Sequence, residues 1–372
     1  EKLEYRLRRW LVGQTVDLLK KIKSLRGLFL KVEVYLFTPN IYQDTLKAFD
    51  ADEVVVTSLG NFDWDQYLVR DAAHLGITST SIILSWDNTT VRGYGGCRPT
   101  RVVVWTRTMK KELVDLHDFS DHEIFVGGVP IFDHYCKSVS GGTAIVDKMV
   151  SPEKKLIFFA TKSPNAFPWN PNIVRAICEA IRKNLLPDCT LLARIHPLHY
   201  RRTDGEFIFG KVLDAYEKLK SEYSVELVVD APCIEESSLN YVMPAVEIGK
   251  LSQILRRSVA VVNMFSTLNI EAAIFDKPLV NVCFEGDSTE YSVNDKARFN
   301  IMSDMAETHN RRIADTGGLD LVYNQTQLVE AIQLAIAQPS IRSLGRKCIV
   351  EEEAGPYKGT AGSVIADYVS CC

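Results

Sequence analysis

The stretch Phe265-Ser-Thr-Leu-Asn-Ile-Glu-Ala-Ala-Ile-Phe-Asp-Lys-Pro278 decides the fold class. An apolar run, Ser258 to Met264, leads into it, and a second, Leu279 to Phe284, follows it. A buried strand, a polar turn, a helix and another buried strand make a β-α-β unit, the building block of a parallel sheet. Ser266 is placed as the helix N-cap, so the amides of Thr267 and Leu268 point out of the helix start, where a phosphate can bind. Glu271 follows one turn after Thr267 on the same side of the helix, a carboxylate suited to ribose hydroxyls. An ordinary capped helix in an α/β core has the same pattern, so the rest of the chain must discriminate.

Outward from this unit, the strand–helix alternation recurs on both sides. Upstream it runs through strand Lys155–Ala160, helix Asn172–Lys183, strand Thr190–Ile195, helix Phe207–Ser221, strand Val225–Val229 and helix Ala245–Arg256. Helices are expected at Gln325–Ala337 and from Ile341 to Val369, with a break at Gly355-Pro356. A separate alternation occupies the front of the chain: strand Lys31–Phe37, helix Asn40–Phe49, strand Val54–Ser58, helix Asp63–Leu75, and strands at Thr78–Leu84, Arg101–Thr106 and Glu123–Val126. No strand with a glycine-rich turn stands at the front, so residues upstream of this chain are expected. The fold class is therefore α/β, with two Rossmann-like domains. Ser138–Thr143, reading SVSGGT, is the Gly/Ser-rich connector between them. The expected domains are residues 1–138, residues 144–340 and a terminal helical segment, 341–372, that crosses back to the first.

At 372 residues the chain exceeds the size at which a single core stops growing. Its composition, 46% hydrophobic and 24% charged, is that of a globular protein rather than a disordered one. A net charge of −4 speaks against general nucleic-acid binding, which needs a basic excess. No apolar run is long enough to span a bilayer. The nine cysteines show no zinc or redox spacing, and several fall in apolar elements, which points to a reducing, cytoplasmic compartment. Glu1 to Lys23 reads as a basic amphipathic helix. It either covers a core or lies on the inner face of the cytoplasmic membrane.

Parallel strands bring their C-terminal ends to one sheet edge, and ligands bind outside that edge. In the second domain those ends carry Lys162-Ser163, Arg194 with His196-Pro197, Asp230, and Ser266-Thr267. A lysine, an arginine, a histidine and a helix start make an anion site, and a nucleotide phosphate suits it. Pro197 holds His196 extended past its strand. In the first domain, Ser85, Trp86, Asp87, Asn88, Thr89 and Thr90, followed by Arg92, leave a buried strand directly. Such a run either forms an Asx-turn loop with Trp86 packed inward or holds a substrate, with Asp87 as the general base. Asp63 and Asp65 form a D-x-D at a helix start and are the alternative bases; as caps there they carry little case for a metal. His196 and His199 lack a matching third ligand, so no metal and no cofactor are expected. No dinucleotide fingerprint, phosphate-binding lysine loop or serine elbow occurs.

The segments SWDNTTVRG, RVVVWTRTMKKEL and FVGGVPIFDHY resemble a bacterial surface-polysaccharide biosynthesis family related to the CDP-glycerol glycerophosphotransferases and to the wider nucleotide-sugar transferase superfamily. That family reads close to SWDN-x-T-x-KG, and here Arg92 stands for the lysine. His196-Pro197 and Ser266-Thr267 are similar to the motifs by which sialyl- and Kdo-transferases hold the cytidine monophosphate of a donor. The resemblance implies the GT-B architecture, two Rossmann-like domains facing across a cleft. It also implies metal-independent transfer of a sugar or glycerophosphate from a nucleotide-activated donor, cytidine-type favoured, to a surface-glycan or lipid-linked acceptor. On that likeness Asp87 is the base and Lys162, Arg194, His196 and the Ser266 turn stabilise the leaving phosphate. Ser85, Trp86, Asn88, Thr89 and Arg92 would line the acceptor side. A non-hydrolysing nucleotide-sugar 2-epimerase and a non-catalytic nucleotide-sugar-binding subunit are the alternatives.

Overall fold

The computed structural model describes residues 10, 12–16, 18–19, 21–57, 59–60, 63–91, 97–136, 143–234, 243–286 and 300–370, the side chains of Lys23 and Asp63 apart. It divides into two units, residues 1–127 with 365–372, and residues 128–364. The division falls at Gly127–Gly128, ahead of the Ser138–Thr143 connector. Its cause is visible in the bonds that Asp133 and Tyr135 make inside the second unit. Asp133 accepts from the Ala361 and Gly362 amides at 3.0 and 2.8 Å, and the Tyr135 hydroxyl donates to Glu271 at 2.5 Å.

In the first unit, strands β1 (Glu53–Val56), β2 (Thr78–Ile82), β3 (Arg101–Val104) and β4 (Ile124–Val126) pair in parallel and in chain order. Val102, Val103 and Val104 are buried, as β-branched residues are in a sheet covered on both faces. Tyr368, in the last helix, Ala361–Ser370, stacks on Phe125 of β4 at 4.1 Å between centroids.

The second unit holds β5 (Lys155–Ala160), β6 (Cys189–Arg194), a small hairpin of β7 (Arg202–Thr203) and β8 (Glu206–Phe207), then β9 (Leu227–Asp230), β10 (Ser258–Asn263), β11 (Leu279–Val282) and β12 (Asp320–Val322). Its main sheet runs β12-β11-β10-β5-β6-β9, with every pair parallel. From β5 the chain builds outward through β6 to β9, then returns to the other side of β5 and builds outward again from β10 to β12. The strand order therefore reverses between β5 and β10. Ile157, Phe159, Leu191, Ala193, Val262, Val280 and Val282 join one apolar core with Ile173, Val174 and Ile177 of helix Asn170–Arg182. Each buried valine, leucine, isoleucine and phenylalanine of this set contributes roughly 1.5–3 kcal/mol through its removal from water.

Several expectations need correcting. Lys31–Phe37 is not a strand; it is the end of a helix, Lys23–Leu36. Alternation over seven residues mimics a strand, but from Leu25 onward the apolar positions also recur at three and four, and the helical period prevails. The described residues between Trp10 and Lys21 are helical, while Leu3, Leu7 and Leu11, half of the apolar positions that made Glu1–Lys23 amphipathic, lie outside the described residues. Helices Ile301–Ala306 and Thr308–Asp315 and strand β12 had no periodic signature long enough to identify them. The terminal segment, by contrast, is as expected: two helices, Ser343–Glu353 and Ala361–Ser370, broken around Gly355-Pro356. Between them Gly355 adopts φ 73°, a left-handed conformation that ends a helix readily only at glycine.

Candidate functional site

The reversal between β5 and β10 places the ends of three adjacent strands side by side: Ser266-Thr267 after β10, Thr161-Lys162 after β5 and Ile195-His196 after β6. At such a point the two flanking crossovers leave on opposite faces of the sheet, opening a crevice between them. The strand ends are tied together. The Thr161 amide donates to the Arg194 carbonyl at 3.0 Å, and the Thr161 hydroxyl accepts from the His196 amide at 2.8 Å.

His196 is half-buried, and Pro197 opens a 3-10 turn, Pro197–Tyr200, directly behind it. Its Nδ1 accepts from the Leu198 amide at 3.1 Å, which leaves the ring proton on Nε2. Burial lowers the imidazole pKa to about 4, so at neutral pH the ring is an uncharged Nε2–H donor. His199 does not share a ligand with it. That ring is fully buried, directs Nδ1 to the His196 carbonyl at 3.0 Å and packs edge-on against Phe209 and Tyr216.

The turn after β10 departs from the expected cap. Thr267 holds the N-cap position of the seven-residue helix Leu268–Ile274, while the Ser266 hydroxyl accepts from the Leu268 amide at 3.3 Å. That amide is therefore engaged inside the turn. Phe265 sits at φ 33°, a left-handed conformation costing about 1–3 kcal/mol for a residue with a side chain. Three buried asparagines hold it. The Asn281 carbonyl oxygen accepts from the Phe265 amide at 2.9 Å and from Asn269 at 3.1 Å, and Asn263 donates to Asn269 at 2.9 Å. Sequence reasoning missed these residues, yet asparagines inside apolar strands were a usable signal, because buried amides need partners.

The cations at this edge have carboxylate partners. Lys162 pairs with Asp304, and burial lowers its ammonium pKa to about 8. Arg194 spans Asp230 and Glu247, at 2.5 Å each. Asp230 also bonds Lys250. Arg194, Asp230, Glu247 and Lys250 thus form a four-member ion-pair network, buried except at Lys250, and Arg194 and Asp230 meet one another at the edge where the sequence places donor contacts. Ser163 closes a turn through its carbonyl, accepting from Ala166 and Phe167 at 3.0 and 2.9 Å. Glu271 is bonded by the Tyr135 hydroxyl, and burial raises its carboxyl pKa. Trp169 Nε1 and Asn172 Oδ1, beside Gly286, are buried and have no hydrogen-bond partner among the described residues.

The first-unit cluster divides in two. Trp86, Asn88 and Thr89 are buried, and Thr89 donates to Glu112 at 2.6 Å while its carbonyl meets His117 Nε2 at 2.7 Å. Ser85 and Asp87 stay half-exposed, with the serine hydroxyl donating to the aspartate at 2.5 Å. The Asp87 carbonyl accepts from the Thr90 and Val91 amides at 3.0 and 2.9 Å, starting the short helix Asn88–Val91. Arg92 lies outside the described residues, as does the Asp63 side chain. Asp65 is half-buried within helix Asp63–His74. Among the described residues no group of three or more His, Cys, Asp and Glu side chains gathers as a metal set.

No protein-family model matches the chain, and no curated protein matches it. Solved structures do. The UDP-GlcNAc 2-epimerase of Neisseria meningitidis, solved bound to UDP-GlcNAc, is 14% identical, with a TM-score of 0.55 over 89% of this chain and 79% of that one. That of Methanocaldococcus jannaschii, in complex with UDP-GlcNAc and UDP, is 16% identical, with a TM-score of 0.54 over 89% and 78%. S. aureus MnaA, solved with UDP, is 14% identical, with a TM-score of 0.54 over 92% and 78%. The chain has the GT-B fold of two Rossmann-like domains.

Proposed function

We propose that this chain is a nucleotide-sugar enzyme whose second unit binds the nucleotide at the β5–β10 edge. The observation that carries this reading is the reversal of strand order, which puts neutral His196 and the hydroxyl-bearing Ser266-Thr267 turn on either side of the end of β5. His196 Nε2–H donates to a phosphate oxygen without needing a proton from solvent, and it gains strength as charge develops there. Lys162 supplies positive charge when the phosphate competes for it with Asp304. Glu271 meets a ribose hydroxyl once Tyr135 yields. Asp87, hydrogen-bonded by Ser85, is the first-unit carboxylate that takes a proton from an acceptor hydroxyl, with Asp65 and Asp63 as substitutes.

The reaction is transfer of the activated group, a sugar or glycerophosphate from a cytidine-type donor, to a glycan acceptor. Epimerisation at the sugar C2 is the second reading, favoured by the fold shared with structures that hold UDP-GlcNAc and UDP. Melting-temperature shifts with CMP, CDP, UDP and GDP test the site and its base, since at equal concentration a ligand of the native state raises the midpoint more the tighter it binds. Incubation with UDP-GlcNAc alone, followed by analysis of the sugar, separates the two readings: epimerisation without an acceptor supports the second and overturns the first. His196→Ala is expected to lower turnover by at least about 10²-fold with the far-UV spectrum retained. Wild-type turnover in that variant would remove His196 from the mechanism.

A further inference from the structure

Glu271 differs from the other carboxylates of its sheet edge in what it meets. Asp304, Asp230 and Glu247 are each paired with a lysine or an arginine. Glu271 instead meets hydroxyls: Tyr135 donates to it at 2.5 Å, Thr267 is its other side-chain partner, and no cation among the described residues pairs with it. A carboxylate held by a cation is fixed in a charge pair. One held by neutral hydroxyls can exchange one hydroxyl for another with its hydrogen bonds unchanged in number.

The place of Tyr135 does not depend on that bond. It lies in the short helix Asp133–Cys136, whose backbone is tied elsewhere: Asp133 accepts from the Ala361 and Gly362 amides, and Arg256 donates to the Tyr135 carbonyl at 3.0 Å. The buried Tyr135 ring stacks on Phe132 at 5.8 Å between centroids and meets Phe275 edge-on at 5.4 Å. Phe275 follows Glu271 by four residues, so ring and hydroxyl meet one face of the same helical turn. Packing holds the ring, and the hydroxyl alone serves Glu271. Glu271 itself is half-buried, as are Ser266 and Thr267 one turn before it, so the carboxylate lies on the side of the helix start where a nucleotide would sit.

We propose that the Tyr135 hydroxyl holds the position on Glu271 that a ribose hydroxyl takes, and that this internal competitor sets the affinity of the chain for ribonucleotides. The proposal rests on the β5–β10 edge being the nucleotide site. A site that must first give up its own partner binds more weakly by the cost of freeing it. Tyr135 is thus a specificity-determining residue: it cancels the advantage that a ribose would otherwise have over a sugar lacking its hydroxyls.

Titration calorimetry of the full chain with UDP and CDP, each beside its 2′,3′-dideoxy form, tests it. In the wild-type chain the ribose must displace the Tyr135 hydroxyl, so the two forms should bind within about threefold of one another. Tyr135→Phe keeps the ring and frees the carboxylate. The ribose form should then bind roughly tenfold tighter than to wild type and the dideoxy form equally, with the far-UV spectrum retained. Adding Glu271→Gln to that variant should erase the gain. His196→Ala examines the edge separately, because it should weaken both forms alike. A tenfold ribose preference already present in the wild type, a gain shared by the dideoxy form, or ribose binding that Tyr135→Phe leaves unimproved while His196→Ala weakens it would each overturn the role of Tyr135 and leave the edge standing. Failure of UDP and CDP to bind either wild type or Tyr135→Phe would overturn both.

Discussion

The two sheets are built by the same rule and differ in one respect. In the first unit the described strands follow one another in chain order, so each crossover repeats the last and no strand end is left between diverging helices. In the second unit the chain returns past its own starting strand, and the reversal between β5 and β10 opens the edge where His196, Lys162 and Ser266-Thr267 lie. The same contrast shows in the buried charge. The second sheet edge carries a four-member network with Asp230 2% exposed, whereas the cross-strand pair of the first, Arg101 with Glu53, has side chains 12 and 18% exposed. The proposed nucleotide edge thus lies beside the place where charges are fixed by one another.

The largest test of that contrast removes the network's centre. Arg194→Met leaves Asp230 and Glu247 buried with Lys250 alone, and the expected cost in urea unfolding is about 3–5 kcal/mol. Arg101→Met should cost about 1 kcal/mol, since its pair is nearer water. Equal losses would erase the distinction between the two sheets.

A second test uses pH. His196 and His199 titrate near 4 in the folded chain, against about 6.5 when unfolded. Between those values the unfolded chain binds more protons, so stability falls as pH drops from about 6.5 towards 4 and is level above about 7. At pH 5 the loss should be on the order of 2 kcal/mol, discounted for the partial exposure of His196. Denaturant midpoints measured from pH 7.5 to 5 check it, and His199→Phe should remove about half the slope.

Tyr135→Phe comes next, leaving the half-buried Glu271 with Thr267 as its remaining side-chain hydrogen-bond partner, at an expected cost of about 1–2 kcal/mol in thermal unfolding. The smallest effect belongs to the first unit. The Thr106 hydroxyl accepts from the Met109 amide at 3.2 Å and caps helix Arg107–His117, so Thr106→Ala should cost about 1 kcal/mol. That change should leave nucleotide-induced melting shifts unaltered.

Much of this was legible in the residues. β-branched apolar runs marked the strands, and β5 and helix Gln325–Ala337 lie where periodicity places them. His196 before a proline and the Ser266 turn were readable as strand-end features because their signals are local. Lys31–Phe37 was misread because two periods overlap in one apolar segment. The helix won there, and its apolar stripe faces outward, an orientation that sequence pattern cannot assign. Arg194 and Asp230 read as ligand contacts, since a charged residue at a strand end has the same signature whether it meets a phosphate or a neighbouring strand.

By itself, then, the sequence determined that this is a two-part α/β chain with parallel strands and polar strand ends, because hydrophobic period and turn chemistry act over a few residues. The tertiary structure alone decided the order of the strands, and with it the single reversal that sets Ser266, Lys162 and His196 side by side. It also decided that Arg194 faces two carboxylates and that Glu271 meets Tyr135, 136 positions away. Those outcomes depend on which distant segments come into register, and burial makes each of the buried charges take whatever partner that register supplies.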